Sequence, residues 1–201
     1  MISLRKQLVV IGDSSIYGWG DNEGGGWCER LRKDWCNNHN GPVIYQLGVR
    51  GDGIEKVSSR WEKEWSTRGE TRRNKPKAIL LNVGLNDTAA IGQKNGRHQL
   101  DIDGFEYGLE RLINEMNSQT NVFVIGLTPV DESKCRSQDV YGIQMIFLIL
   151  MKGEWRKYAS IRISHFFLLL GKCTLIKGVK IGLRMMEFIL IPKVISGFSK
   201  D

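Results

Sequence analysis

Four short apolar runs rich in Val, Ile and Leu, each separated from the next by a stretch of helical period, leave this chain few ways to fold. Strands are predicted over Lys6–Ile11, Val43–Leu47, Ala78–Val83 and Val122–Leu127, the second entered through Pro42 and the last ended by Thr128-Pro129. Between them, Gly26–Asn37 carries Trp27, Leu31 and Trp35 at i, i+4 and i+8, and Ile54–Ser66 and Asp103–Asn117 also read as helices. The polar run Thr67–Lys75 reads as a loop. Strands joined through helices of this length pair in parallel, with right-handed crossovers and helices on both faces. The expectation is an α/β fold: a flavodoxin-like three-layer α/β/α sandwich with a parallel sheet.

Two of these strands end in residues suited to chemistry. Leu8-Val9-Val10-Ile11 runs directly into Gly12-Asp13-Ser14-Ser15, and the third strand runs into Gly84-Leu85-Asn86-Asp87. The C-terminal edge of a parallel sheet is where α/β folds bind ligands. There Ser14 would stand as a nucleophile, and the Asn86 side-chain amide could donate to a developing oxyanion. The plainer alternative makes both segments strand-to-helix turns, with Asp or Ser as N-cap.

With Gln46-Leu47-Gly48-Val49-Arg50-Gly51-Asp52 placed between them, the two segments resemble the SGNH hydrolases, the GDSL esterase/lipase family. The middle block is similar to the family's Asn-x-Gly-x-x-Gly-Asp, with Gln46 in place of the usual Asn. The resemblance implies the SGNH hydrolase fold and acyl transfer from a small-molecule carboxylic ester to water, with no cofactor. It also implies an oxyanion hole formed by the backbone N–H groups of Ser14 and Gly51 and the side chain of Asn86. Asp13 and Asp87 flank these groups as supporting residues. Gly48 and Gly53 read as ordinary turn glycines.

A fourth family block, the catalytic Asp-x-x-His near the C-terminus, is absent. The histidines are three: His39 in a polar turn, His98 in a loop-like stretch, and His165 between apolar runs with no acid three residues before it. Composition changes in the same region. Residues 1–135 hold 18 Lys and Arg against 18 Asp and Glu, whereas residues 136–201 hold 11 against 4 and so carry the whole net charge of +7. The apolar runs of this tail keep neither helical nor strand period.

The genetic code links the two anomalies. Met185-Met186 must be encoded ATG ATG, and with a preceding G from Arg184 the frame one nucleotide earlier reads Asp-Asp. Allowed codons for Glu187 to Ile195 continue it as Gly-Ile-His-Leu-Asn-Pro-Lys-Gly-Tyr, which contains the missing block. Residues 1–201 are therefore expected to form one domain, family-like over 1–134, with an anomalous tail over 135–201 produced by a frame slip shortly after Lys134. The alternative is a natural, divergent C-terminus.

Other readings are narrower. A chain of 201 residues suits a single core. Leu8 to Ile11 is too short for a signal-peptide core, and no apolar stretch reaches the length of a membrane span, so a cytoplasmic protein is expected. The basic tail lacks a nucleic-acid-binding motif. Cys28, Cys36, Cys135 and Cys173 have no metal spacing and read as reduced thiols. Gly18, Gly20 and Gly24-Gly25-Gly26 lack the Lys-Ser/Thr of a phosphate loop and read as a mobile loop beside the site, where Tyr17, Trp19 and Trp27 could line a pocket. A catalytically silent binding module and a flavodoxin-like nucleotide or flavin binder are the alternative functions.

Overall fold

The computed structural model describes residues 6–36, 42–69, 74–89 and 96–127, together with the backbone of 165–167. In chain order the elements are strand β1 (Gln7–Gly12), helices α1 (Ser14–Tyr17) and α2 (Gly26–Cys36), strand β2 (Val43–Gly48), helix α3 (Ile54–Ser66), strand β3 (Ala78–Asn82), a 3-10 turn (Asn86–Thr88), helix α4 (Ile102–Asn117) and strands β4 (Asn121–Ile125) and β5 (His165–Phe167). The sheet order is β2-β1-β3-β4-β5, and every pairing is parallel.

Residues of a strand point alternately to its two faces, and β1, buried along its whole length, divides its side chains accordingly. Val9 and Ile11 join Ile79, Leu81, Val122 and Val124 under α3 and α4, where Val57, Trp61, Leu109 and Leu112 complete a core. Leu8 and Val10 point the other way, with Leu80 and Phe123, onto Ile16, Cys28, Leu31 and Trp35 of α1 and α2. These are the two outer layers of the expected sandwich.

The expected helix over Ile54–Ser66 has the observed bounds, and α4 starts one residue earlier than expected because the Asp101 carboxylate caps it by accepting from the Gly104 N–H at 2.7 Å. The short helix α1, with Asp13 as its N-cap, and the 3-10 turn at Asn86 match the strand-to-helix turns of the plainer alternative, though neither was placed as an element. Each is a single turn, too short to show a period. β5 shows that three tail residues pair with β4, where the sequence offered only irregular candidates for a fifth strand. The remaining residues of 128–201, including Cys135, Cys173 and the stretch around Met185, lie outside the described residues, as does His39. Among the described residues no helix is long and apolar enough to cross a membrane.

The register brings the ends of three strands level, with Gly12 opposite both Gly48 and Asn82. Glycine is needed at two of these positions for close approach. A Cβ on Gly12 would lie 1.9 Å from the Asn82 carbonyl oxygen, and one on Gly48 would lie 2.3 Å from the Tyr17 nitrogen. Gly48 is therefore a packing glycine that lets α1 sit against the end of β2, which corrects its reading as an ordinary turn residue.

Candidate active site

Asp13 turns the chain from β1 into α1. Its Oδ1 accepts from the Ser15 backbone N–H at 2.8 Å and faces the Ser15 hydroxyl at 2.7 Å, so the carboxylate is the N-cap of the helix that begins at Ser14. The Ser15 hydroxyl also lies 2.6 Å from Asn82 Oδ1, and Asn82 Nδ2 donates to the Ile125 carbonyl at 3.3 Å. This chain of contacts ties the ends of β1, β3 and β4 together beneath Ser14.

The second segment leaves β2 through a tight turn. The Asp52 N–H donates to the Val49 carbonyl at 3.3 Å, and Gly51 has φ 76°, the left-handed conformation that the third position of a type II turn demands and glycine adopts without strain. That turn hydrogen bond uses the amide of Asp52 and leaves the Gly51 N–H outside it. Asp52 itself is buried and paired with Arg60 of α3, whose Nε donates to Asp52 Oδ2 at 2.8 Å. The same guanidinium donates to the carbonyls of Gly12 at 2.9 Å and Leu47 at 3.2 Å, and to Glu64 at 3.0 Å. One cation thus holds the ends of β1 and β2 to α3.

Asn86 closes the arrangement. Its Nδ2 donates to the Asp52 carbonyl at 2.9 Å and more weakly to Asp13 Oδ2 at 3.4 Å. One amide proton is therefore committed to fixing the side chain, and the other, in the longer contact, faces the Asp13-Ser14 segment. Asp87 accepts from the Ile54 N–H through both oxygens, at 3.2 and 3.1 Å, and so caps α3, whose own N-cap residue Gly53 has no side chain to do so. A Cβ on Gly53 would come within 2.3 Å of Asp87 Oδ1, so this glycine too is present for close approach rather than as a turn residue.

The site is rich in buried acid. Burial pushes the Asp87 carboxyl up to about 6, against the hydrogen bonds from Ile54, and burial also raises Asp13, with Asp52 nearby adding to the effect. The raised Asp13 fits its surroundings. The Ser15 hydroxyl has one proton for two neighbouring acceptors, so a proton on Asp13 would complete the network. Among the described residues no group of three His, Cys, Asp or Glu could hold a metal ion. Cys28 is buried and its thiol is pushed up to about 12 by desolvation.

Of the sequence-predicted site residues, Asn86 touches Asp13 and Asp52, the chain neighbours of Ser14 and Gly51, so all five named residues lie around one end of the sheet. Ser15, Asn82 and Arg60 were missed. A Ser beside a nucleophile and an Asn closing a strand carry no signal of their own, while Arg60 could have been found as the one basic residue on the Ile54, Val57, Trp61 side of α3.

The glycine-rich loop is tied rather than loose. The Asp21 carboxylate accepts from the N–H groups of Glu23, Gly24 and Gly26 and pairs with Arg30, which holds its pKa well below the usual carboxylate range. Trp27 packs against the α2 side of the core instead of lining a pocket, whereas Tyr17 and Trp19 are exposed. His98 Nδ1 lies 2.8 Å from the Thr88 carbonyl. The β5 register sets His165 opposite Phe123, two positions short of the strand end at Ile125 that lies level with the site.

Comparison with known proteins gives a family and a fold. The model of the GDSL-like lipase/acylhydrolase family matches residues 10–143. Solved structures similar to the chain include AlinE4, an SGNH-hydrolase family esterase, with 14% identity, coverage of 94% of both chains and a TM-score of 0.60. Others are the psychrotrophic esterase EstA from Pseudoalteromonas sp., with 13% identity, coverage of 82% of this chain and 77% of that one and a TM-score of 0.55, and TesA, with 14% identity, coverage of 76% and 75% and a TM-score of 0.55. The search of curated proteins finds no match.

Proposed function

Because this chain belongs to the GDSL-like lipase/acylhydrolase family, we propose that its site is built for hydrolysis of small carboxylic esters, with Ser14 as nucleophile and Ser14 N–H, Gly51 N–H and Asn86 Nδ2 as oxyanion donors. The observation that carries this reading is the position of the Asn86 amide. It is held by the Asp52 carbonyl and directed at Asp13, between the segments that bear the other two donors. Donors fixed before reaction stabilise charge without reorganising when it develops, which is what an oxyanion hole requires. Attack by the Ser14 hydroxyl would form an acyl-enzyme and release the alcohol, and water would then hydrolyse the acyl group.

The attack needs a base. His98 is engaged with Thr88, and the backbone of His165 sits below the strand end, so neither suits the task. The base proposed here is the His of the Asp-Asp-Gly-Ile-His string in the shifted frame. In support, the family match stops at residue 143, close after Lys134, and the tail has its own charge balance. Without that His, Ser14 keeps an alcohol's reactivity, and donors alone leave only about 10³–10⁴-fold over water. The chain as it stands is then a nearly silent esterase. The second reading, a natural binding module using the same cleft, is favoured by the absence of any Asp-x-x-His string in the chain.

The test restores the frame by one nucleotide near the Lys134 codon and measures hydrolysis of a short-chain p-nitrophenyl ester. Activity should appear, vanish in Ser14→Ala, and fall in kcat by about 10²–10³ in Asn86→Ala, the usual cost of one oxyanion donor. Activity that survives Ser14→Ala would overturn the assignment.

A further inference from the structure

Next to Gly51 stands a cation that the proposed oxyanion hole does not use. Arg50 precedes Gly51 in the turn after β2, and its guanidinium carbon lies 3.2 Å from the centroid of the Trp19 ring. Trp19 comes from the other side, where its backbone N–H donates to the carbonyl of Ser14 itself at 3.0 Å. The stacked pair therefore bridges the two segments that hold Ser14 and Gly51.

Three features set this arginine apart. The ion-paired arginines of the described residues are Arg30, Arg32, Arg60 and Arg111; Arg50, Arg68 and Arg97 are not among them, and of these three Arg50 alone is recorded stacked on an aromatic ring. Stacking on an indole restrains the side chain by one face of the guanidinium and leaves the N–H donors along its edge, so the group is oriented without being neutralised. Of the four large hydrophobic side chains exposed among the described residues, Tyr17, Trp19 and Val49 lie on these two segments, and the only other side-chain cation recorded at this turn is Lys56, whose Nζ is 3.5 Å from the Gly51 carbonyl. A charged edge at the end of an apolar surface fits a ligand with an apolar spacer and a terminal anion.

We propose that Arg50, held on Trp19, is the specificity-determining residue of the site and selects esters whose acyl chain ends in an anionic group, a carboxylate or a phosphate. The inference rests on the ester-hydrolase reading for the word substrate, but the anion preference is a binding property and needs no attack by Ser14. A guanidinium edge receives either oxyanion through paired N–H donors.

The test is calorimetric binding to the full chain and to its frame-restored counterpart. Monomethyl glutarate is compared with the uncharged ester in which an isopropyl group replaces the carboxylate, and inorganic phosphate is used as a competitor. The half-ester should bind at least about tenfold tighter than the uncharged one, the factor expected of one charge-assisted hydrogen bond. The preference should disappear in Arg50→Gln and shrink in Trp19→Leu, with melting temperatures unchanged, and should persist in Ser14→Ala. Displacement by phosphate at concentrations near those of the half-ester would assign a phosphate-bearing substrate, and its failure a carboxylate-bearing one. Equal affinity for the two esters, or a preference that survives Arg50→Gln, overturns the proposal. Hydrolysis without anion preference rejects this inference alone, and anion preference without hydrolysis in the frame-restored chain rejects the esterase reading alone.

Discussion

Asp87 joins stability to pH through a single carboxyl. Its folded-state pKa of about 6 lies above the ordinary 3.8 because burial disfavours the charge. A raised carboxyl works against the folded state as pH rises: the unfolded chain releases this proton near 3.8 while the native chain keeps it until about 6. Stability from this group is thus fully present below the unfolded value and lost by the time pH passes the folded one, a swing on the order of 3 kcal/mol. Asp87→Asn keeps an acceptor for the Ile54 N–H and removes the titration. The change in denaturant midpoint from near pH 4 to near pH 7 should therefore be more positive in the variant than in the parent, because the variant lacks the loss that Asp87 contributes. An equal change in parent and variant would show that the carboxyl is already ionised across this window. At Gly12 the constraint is steric. Gly12→Ala places its methyl 1.9 Å from a backbone carbonyl that the sheet holds in place, so a loss of about 1–3 kcal/mol is expected by urea titration.

Helices α3 and α4 differ in how their N-termini are satisfied, and the difference locates the site. α4 is capped by its own neighbour, Asp101, and Asp101→Ala should cost about 1 kcal/mol and leave the site intact. α3 is capped from a distance by Asp87 and anchored through Arg60 to Asp52, Gly12 and Leu47. Arg60→Met would leave the buried Asp52 carboxylate without its partner, a loss of about 3 kcal/mol or more in chemical denaturation. It would also free the turn whose Asp52 carbonyl holds Asn86, so in the frame-restored enzyme kcat should fall together with stability. A stability loss with kcat unchanged would show that Asn86 is held without help from α3.

At the scale of the whole chain the charge balance changes near residue 135: residues 1–135 sum to zero and residues 136–201 carry the +7. Among the described residues, 6–127 supply both core clusters and four of the five strands, with Gln7 of β1 buried among them and its side-chain amide unpartnered. The tail's described residues are the three of β5, which pair with β4. Its Lys and Arg residues must either be buried or leave apolar runs in water, and both are unfavourable. Expressed as it stands, the chain should be prone to aggregation and show no measurable esterase activity, while the frame-restored chain should be soluble and active. Cooperative unfolding and activity in the unaltered chain would remove the case for a frame slip.

What the amino-acid order determined by itself is the layered α/β fold. Buried parallel strands and amphipathic helices each announce themselves over five to fifteen residues, and their alternation admits few topologies. The placement of Ser14, Gly51 and Asn86 past three strand ends was legible as well, because each stands in a recognisable block after an apolar run. The residues that hold them were not. Ser15 meets Asn82 across 67 positions and Arg60 meets Gly12 across 48, and no local pattern records a hydrogen bond between distant segments. The close-approach roles of Gly12, Gly48 and Gly53 belong to the same class. A missing Cβ has meaning only once the opposing atom is known, and that atom is brought there by the tertiary fold.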